Sequence, residues 1–119
     1  GDSSEPQRPP EKGSSDDAKR SKVAVRVYNN STIKNLAHEA ADDFRRVGYE
    51  VSEVGNYSAG RIYTTTVYFR PGTGEEAPAR EIARRFGARL APRFKGLDAA
   101  SPGVIIIITK DYSGIQEGK

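Results

Sequence analysis

Apolar and polar residues alternate where the regular part of the chain begins, which predicts a strand followed by a helix. One face of this strand carries Val23, Val25 and Val27, and the other carries Ala24, Arg26 and Tyr28. The polar turn at residues 29–31 suits a helix cap, and apolar residues then recur at helical spacing from Ile33 to Val47. We therefore expect a helix over residues 32–47 that ends at Gly48.

The remaining pattern predicts three more strands and one more helix. The strands fall at about residues 49–54, 61–69 and 104–109, and the helix runs from between Gly74 and Pro78 to Gly87. Residues 88–103 read as a loop with a short extended piece near Leu90. The order βαββαβ predicts an α/β (α+β) two-layer sandwich with both helices on one face of the sheet. We expect four mainly antiparallel strands, with the first and third central and the second and third forming a hairpin.

The last strand is apolar at every position from Val104 to Ile108. Strict alternation would place Ile105 and Ile107 on the face opposite the helices. A continuous apolar run is more typical of a strand that is buried on both sides. Two alternatives follow: the last strand is central, or its second face is covered.

Composition limits the chemistry that the chain can perform. Its 119 residues carry a net charge of +3 and contain no cysteine, which excludes disulfides and thiolate chemistry. Residues 1–22 are rich in Ser, Pro and charged residues and read as a disordered linker. Residues 23–112 read as one domain, and residues 113–119 as a flexible tail.

Two surfaces are candidate binding sites. The sheet face opposite the helices would offer a platform for a sugar ring or a protein partner, unless it is covered. Its candidate residues are Arg26, Tyr28, Tyr68, Ile105 and Ile107. A basic stripe on the second helix and the segment after it would suit phosphate-bearing glycopolymer, muramyl carboxylates or anionic lipid headgroups. Its candidates are Arg80, Arg84, Arg85 and Arg89, followed by Arg93 and Lys95. The alternative is a solvated face.

No catalytic, metal or cofactor site is expected. The single histidine, His38, falls on the outer face of the first helix, and no pair of carboxylates is spaced to converge as glycan hydrolysis requires. The turn Asn29-Asn30-Ser31 could bind a sugar through hydrogen bonds, but capping of the first helix explains its residues equally and is favoured.

Four segments together resemble the LytR C-terminal domain family over about residues 22–112. They are Val25-Arg-Val-Tyr-Asn-Asn-Ser-Thr32, Asn35-Leu-Ala37, Thr66-Val-Tyr-Phe-Arg-Pro-Gly72 and Val104-Ile-Ile-Ile-Ile-Thr-Lys-Asp111. The chain departs from the family where the family often has glycine, at Asn30, Thr32, Asn35 and Thr109.

The resemblance implies a non-catalytic, extracytoplasmic module of the cell envelope. It further implies a full-length protein that is anchored by an N-terminal transmembrane helix absent from this chain. The expected partners are peptidoglycan or its attached glycopolymer and ligases of the LytR-CpsA-Psr type, for which the module would act as a scaffold. The alternative function is nucleic-acid binding, because the order βαββαβ is also that of the RNA-recognition motif.

Overall fold

The computed structural model describes residues 23–97 and 100–114. The predicted linker at 1–22 and residues 115–119 of the predicted tail lie outside the described residues. The elements in chain order are β1 (Ala24–Asn29), α1 (Leu36–Arg46), β2 (Glu50–Asn56), β3 (Thr66–Phe69), α2 (Glu76–Phe86), β4 (Arg89–Pro92), a 3₁₀ turn (Lys95–Leu97) and β5 (Val104–Ile108).

The five strands form one mixed sheet in the order β2-β1-β5-β3-β4. The pairs β1–β2, β1–β5 and β3–β4 are parallel, and only β3–β5 is antiparallel. The predicted α+β class with two helices is confirmed, and β1 and β3 are interior strands as expected. The expected four mainly antiparallel strands are wrong, because each helix is a crossover that returns the chain to a parallel neighbour.

The predicted hairpin between the second and third strands is also wrong. β2 pairs with β1, and both β1 and β5 lie between β2 and β3. The residues predicted to open the third strand, 61–65, instead belong to a long connection, and β3 begins at Thr66. The piece near Leu90 is a full edge strand, β4, which pairs with β3.

Both helices pack on one face of the sheet and form the main core. Edge-to-face contact between Phe44 of α1 and Phe86 of α2, with ring centroids 4.4 Å apart, joins the two helices. Sheet residues on this face are Val25, Val27, Val67, Phe69, Val104, Ile106 and Ile108. The predicted two-layer arrangement therefore holds on this side.

The second face of the sheet is covered, which corrects the predicted open platform. Ile105 and Ile107 are 0% exposed and Tyr68 is 6% exposed. They form a second apolar cluster with Leu97, and partly buried side chains from strands and connections pack against it: Tyr28, Tyr57, Ile62, Ala91, Phe94 and Ala100. Both alternatives for the last strand are true, because β5 is the central strand and its second face is covered.

Two arginines hold residues 100–103, the covering segment, onto the sheet. Arg26 Nη1 donates to the carbonyl of Pro102 at 2.8 Å. Arg93, only 8% exposed, donates through Nη2 to the carbonyls of Ser101 at 2.7 Å and Gly103 at 2.8 Å. Charge-assisted hydrogen bonds to carbonyls satisfy the Nη groups of the buried Arg93 and anchor the half-buried Arg26. Arg26 and Arg93 thus act inside the protein.

Glu75, the residue before α2, completes this attachment. Its Oε2 accepts a hydrogen bond from the backbone N–H of Gly103 at 2.8 Å, and its Oε1 accepts one from the N–H of Arg70 at 2.8 Å. Gly103 has φ +131°, and a Cβ there would lie 2.7 Å from the carbonyl oxygen of Ala24. Only glycine fits this close approach of the covering segment to β1.

α1 begins later than the pattern predicts, at Leu36. The residue before it, Asn35, has φ 64° in the left-handed region and makes no side-chain capping bond. The predicted capping by residues 29–31 is therefore wrong, and Ile33, predicted on the inner face, is 43% exposed. A left-handed position explains why the resembled family often has glycine where this chain has Asn35. The predicted stops are confirmed, since Gly48 and Gly87 both have positive φ at the helix ends.

Candidate functional site

Three parallel strands end at the same edge of the sheet. At the carboxyl ends of β1, β2 and β5, Asn29 lies opposite both Asn56 and Ile108. Because β3 is antiparallel to β5, the connection that enters β3 reaches this same edge. In open sheets, ligands bind outside the carboxyl ends of the strands, where neighbouring strands connect in different directions.

Two adjoining pockets of about 310 and 550 Å³ lie at this edge. They share Asn29, Ser31, Thr32 and Asn56, so we treat them as one feature, the carboxyl-edge groove. The smaller pocket adds Ile33, Lys34, Asn35, Ala37, His38 and Gly55. The larger adds Asn30, Tyr57, Ser58, Gly60, Arg61, Ile62, Tyr63, Thr109 and Lys110.

Asn30 builds one wall of the groove. Its Nδ2 donates to the carbonyls of Tyr57 at 2.7 Å and Gly60 at 2.9 Å, while its Oδ1 accepts from the N–H of Ile62 at 2.8 Å. A single amide thereby satisfies three backbone groups of an irregular segment. Asn30 therefore shapes the wall formed by residues 57–62.

Asn29 and Ser31 shape the opposite wall in the same way. Asn29 Nδ2 donates to the carbonyl of Ile33 at 2.9 Å, and Asn29 Oδ1 accepts from Ser31 Oγ at 2.7 Å. Ser31 Oγ in turn accepts from the N–H of Ile33 at 3.1 Å. The sequence predicted these polar groups as sugar ligands or helix caps. In the structure, they stabilise the loop between β1 and α1 through hydrogen bonds within residues 29–33.

The exposed side chains of the groove are those that the sequence pattern did not single out. Tyr63 is 79% exposed, and the guanidinium carbon of Arg61 lies 5.7 Å from its ring centroid. An aromatic residue in a loop of Asn, Ser and Gly residues was the available signal. The predicted strand over 61–69 concealed it by making Tyr63 one alternating residue among several.

A partly buried hydrogen-bond network adjoins the groove at Thr109. Asp111 Oδ1 accepts hydrogen bonds from the N–H of Thr65 at 2.9 Å and from the hydroxyls of Thr65 and Thr109, each at 2.6 Å. Burial alone would raise the pKa of Asp111, but the hydrogen bonds from Thr109 and Thr65 outweigh it and lower that pKa. The ionised carboxylate therefore ties the entry of β3 to the end of β5.

The residues predicted on the sheet face do not line the groove. Tyr68, Ile105 and Ile107 are buried. The rings of Tyr68 and Phe94 pack edge to face, with their centroids 5.2 Å apart. Tyr28 is half-buried and donates to Glu53 Oε1 at 2.9 Å. Burial and this hydrogen bond raise the pKa of Tyr28. The platform interpretation is wrong for the three buried residues.

The predicted basic stripe is divided among several environments. Arg80 pairs with Glu76 at 2.5 Å and Arg85 with Glu81 at 3.9 Å along α2. Arg84 and Arg89 are exposed, whereas Arg93 is buried under the covering segment. Within the described part of the chain, only Arg84 and Arg89 of the four candidates have no ion pair, and their role in binding stays a prediction.

Residues 23–97 and 100–114 contain no group of three or more His, Cys, Asp or Glu side chains placed to hold a metal ion. The same residues include no helix with the length and apolar character needed to cross a membrane. His38, exposed on α1, lies at the rim of the smaller pocket.

Comparison with known proteins places the chain in a family. The family described as LytR cell envelope-related transcriptional attenuator (LytR_C) matches residues 22–112. The vesiculogenesis and immune response regulator of Mycobacterium tuberculosis (strain ATCC 25618 / H37Rv) is 38% identical over 88 residues, which cover 74% of this chain and 54% of the regulator. The chain thus spans about half the length of this curated relative.

Two solved structures share the fold. The solution structure of the C-terminal domain of RV0431 matches with a TM-score of 0.54 and 38% identity, over 73% of this chain and 71% of that one. The crystal structure of the soluble domain of a conserved hypothetical secreted protein from Mycobacterium marinum matches with a TM-score of 0.62 and 18% identity, over 81% and 64%. Since the family match spans most of the chain, this protein belongs to the LytR_C family of cell envelope-related domains.

Proposed function

We propose that this domain is a non-catalytic, extracytoplasmic module that binds a peptidoglycan-linked polymer in the carboxyl-edge groove. The observation that carries the proposal is the groove itself, which is open, combines polar and apolar surface, and is bordered by the exposed ring of Tyr63. The family description supports a role in the cell envelope, and the regulator relative supports binding over catalysis. The full-length protein would be anchored by a membrane helix that precedes this domain.

The exposed groups of the groove suit a saccharide. Thr32, Asn56 and Ser58 are exposed and offer hydroxyl and amide groups to sugar hydroxyls. Tyr63 offers an aromatic ring whose apolar surface can pack against the C–H face of a sugar ring. Pockets that combine apolar surface with a few placed polar groups are the usual form of small-ligand sites.

Protein and lipid partners would use a different surface. Arg84 and Arg89 are exposed on α2 and β4, away from the lining of the groove. We propose this pair as the contact for acidic surfaces of LytR-CpsA-Psr ligases or for anionic lipid headgroups, with the domain acting as a scaffold between ligase and polymer.

The nucleic-acid alternative loses its structural basis. An RNA-recognition motif stacks bases on aromatic residues of an open sheet face. Here that face is covered, and its aromatic residue Tyr68 is buried against Phe94.

The test is a pull-down with purified peptidoglycan, with and without its attached glycopolymer. We expect the wild type to bind, Tyr63→Ala to bind about fivefold more weakly because a stacking surface is lost, and Arg84→Ala to bind like the wild type. Tyr63 is exposed, so thermal unfolding of the variant should match the wild type. Failure of the wild type to bind either preparation, or undiminished binding by Tyr63→Ala, would contradict the proposal. A loss confined to Arg84→Ala would move the site to α2.

A further inference from the structure

The charged side chains of the carboxyl-edge groove are all basic residues or histidine. Among residues 23–97 and 100–114, its lining includes Lys34, Arg61 and Lys110, together with His38, and no aspartate or glutamate. The chain has 16 acidic residues against 19 lysines and arginines, so a random lining of this size would include carboxylates. The imbalance is therefore a local property of the groove.

These three cations converge from separate parts of the chain. Lys34 belongs to the loop before α1, Arg61 to the connection before β3, and Lys110 to the segment after β5. Lys34, Arg61 and Lys110 do not belong to one run of basic residues in the sequence. The parallel arrangement of β1 and β5, with β3 antiparallel, brings their three segments to one edge.

The groove cations lack the carboxylate partners that cations have on the helices. On α1, Arg45 and Arg46 pair with Asp42 and Asp43, and on α2 Arg80 pairs with Glu76. In the part of the chain that the structure describes, Lys34, Arg61 and Lys110 form no ion pair. Cations that converge without counter-charges raise the local concentration of anions.

The carboxylate nearest in sequence is engaged in hydrogen bonds within the protein. Asp111 follows Lys110 directly, but its Oδ1 is held by the Thr65 and Thr109 hydroxyls and the Thr65 N–H. It is absent from the residues that line either pocket. The guanidinium of Arg61, beside the exposed Tyr63 ring, is thus available to an acidic group of a ligand that packs there.

We propose that the groove selects an acidic saccharide, with a sugar ring against Tyr63 and its carboxylate or phosphate held by Arg61 and Lys110. This inference rests on the proposed function and names the ligand class of the same site. Arg61 supplies planar, paired donors that match either anion, and Lys110 supplies a point charge. Lys34 extends the same preference to the smaller pocket, where the next residue of a polymer would lie.

The test is calorimetric titration with one glycan in two forms. The probe is peptidoglycan glycan strands freed of peptide, which carry lactyl carboxylates, and the matched control is the same strands after amidation of those carboxylates. We expect the wild type to bind the acidic strands about tenfold more tightly than the amidated ones, with the difference shrinking at high salt. A phosphodiester-linked glycopolymer forms a third arm, and the tighter of the two acidic ligands identifies the source of the anion.

Two double variants with equal loss of charge locate the effect. Arg61→Gln with Lys110→Gln should abolish the preference for acidic strands, whereas Arg84→Gln with Arg89→Gln should keep it. Thermal unfolding checks that both variants fold. Equal losses in both variants would overturn the inference in favour of a net-charge effect, as would binding of polyglutamate as tight as that of the strands. Equal binding of acidic and amidated strands overturns the inference and leaves the proposed function intact, while binding of no saccharide overturns both.

Discussion

The second face of the sheet and the carboxyl-edge groove carry opposite combinations of sequence signal and exposure. The second face has aromatic and aliphatic residues in strands, but Ile105 and Ile107 are fully buried under the covering segment. The groove is rich in Asn, Ser, Thr and Gly residues at strand ends and in connections, and it contains Tyr63, the more exposed of the two exposed large hydrophobic side chains among the described residues. The sheet face that the sequence predicted as a binding platform is part of the core. The segments that the sequence predicted as turns form the open groove.

The comparison shows that hydrogen bonds to a covering segment, and not amino-acid composition, decide whether a surface of this domain is buried or open. Arg26, Arg93 and Glu75 make hydrogen bonds that fasten residues 100–103 over the second face. At the groove, Asn30 and Asp111 also make internal hydrogen bonds, but these fix the surrounding segments, and the space between the walls is open. Predictions about each region follow from this contrast.

The largest effect is expected from Ile107→Ala on the covered face. Loss of a fully buried side chain in the central strand should lower the free energy of unfolding by about 3 kcal/mol. The matched control is Ile33→Ala at the groove, where the side chain is 43% exposed and the cost should stay below about 1 kcal/mol. Urea denaturation measures both. Similar small costs for the two variants would mean that the second face is open.

A smaller effect, dependent on pH, is expected from Glu75→Gln. Burial raises the pKa of Glu75, but hydrogen bonds from the backbone N–H groups of Gly103 and Arg70 and from the Arg70 guanidinium outweigh it and lower that pKa. A lowered pKa stabilises the fold above the ordinary carboxyl pKa, and this stabilisation disappears as the pH falls through the folded-state pKa. At neutral pH the variant should be less stable than the wild type by about 2 kcal/mol.

A pH series distinguishes the role of Glu75, which fastens the covering segment, from the role of Asp111 at the groove. The stability difference between wild type and Glu75→Gln should shrink as the pH falls below the ordinary carboxyl range. Asp111→Asn is the matched control under the groove, because the pKa of Asp111 is also lowered by hydrogen bonds. Its loss should narrow in the same direction and should also weaken polymer binding, whereas the loss in Glu75→Gln should leave binding unchanged. A constant difference at all pH values would argue against an ionised Glu75.

The smallest change in stability is expected from Asn30→Ala in the groove wall. The variant loses hydrogen bonds to the backbone groups of Tyr57, Gly60 and Ile62. The free energy of unfolding should fall by about 1 kcal/mol, because these backbone groups can form hydrogen bonds with water instead. Binding of peptidoglycan should fall more than stability, since the wall that positions Tyr63 loosens. Ser58→Ala, an exposed change in the same segment, serves as the control for stability. Unchanged binding by Asn30→Ala would show that the wall is not needed.

Much of the fold could be predicted from local patterns. Alternation in Val25 and Val27 placed β1, helical spacing placed the inner faces of both helices, and Gly87 marked the end of α2. The apolar run from Val104 to Ile108 indicated a strand buried on both sides, as it is. These features share a physical cause, because side-chain periodicity reports which face of an element is buried.

Strand partners could not be predicted in the same way. β4 contains Arg89 and Pro92 and lies half-exposed at an edge, so its pattern resembles a loop. Whether β2 pairs with β3 as a hairpin or with β1 through a crossover depends on contacts between residues far apart in the chain. α1 begins later than predicted because Asn35 adopts the left-handed conformation, which helix propensities do not predict.

The site depended most on the tertiary structure. Absence of cysteine could be read directly, and the resemblance to LytR C-terminal domains pointed to the cell envelope from the sequence alone. Lys34, Arg61 and Lys110 lie in three different connections that helices and strands separate along the chain, and only the strand order brings these connections to one edge. Local sequence reports burial of each element against its own neighbours. Which loops cover a face and which leave an edge open is settled by long-range packing.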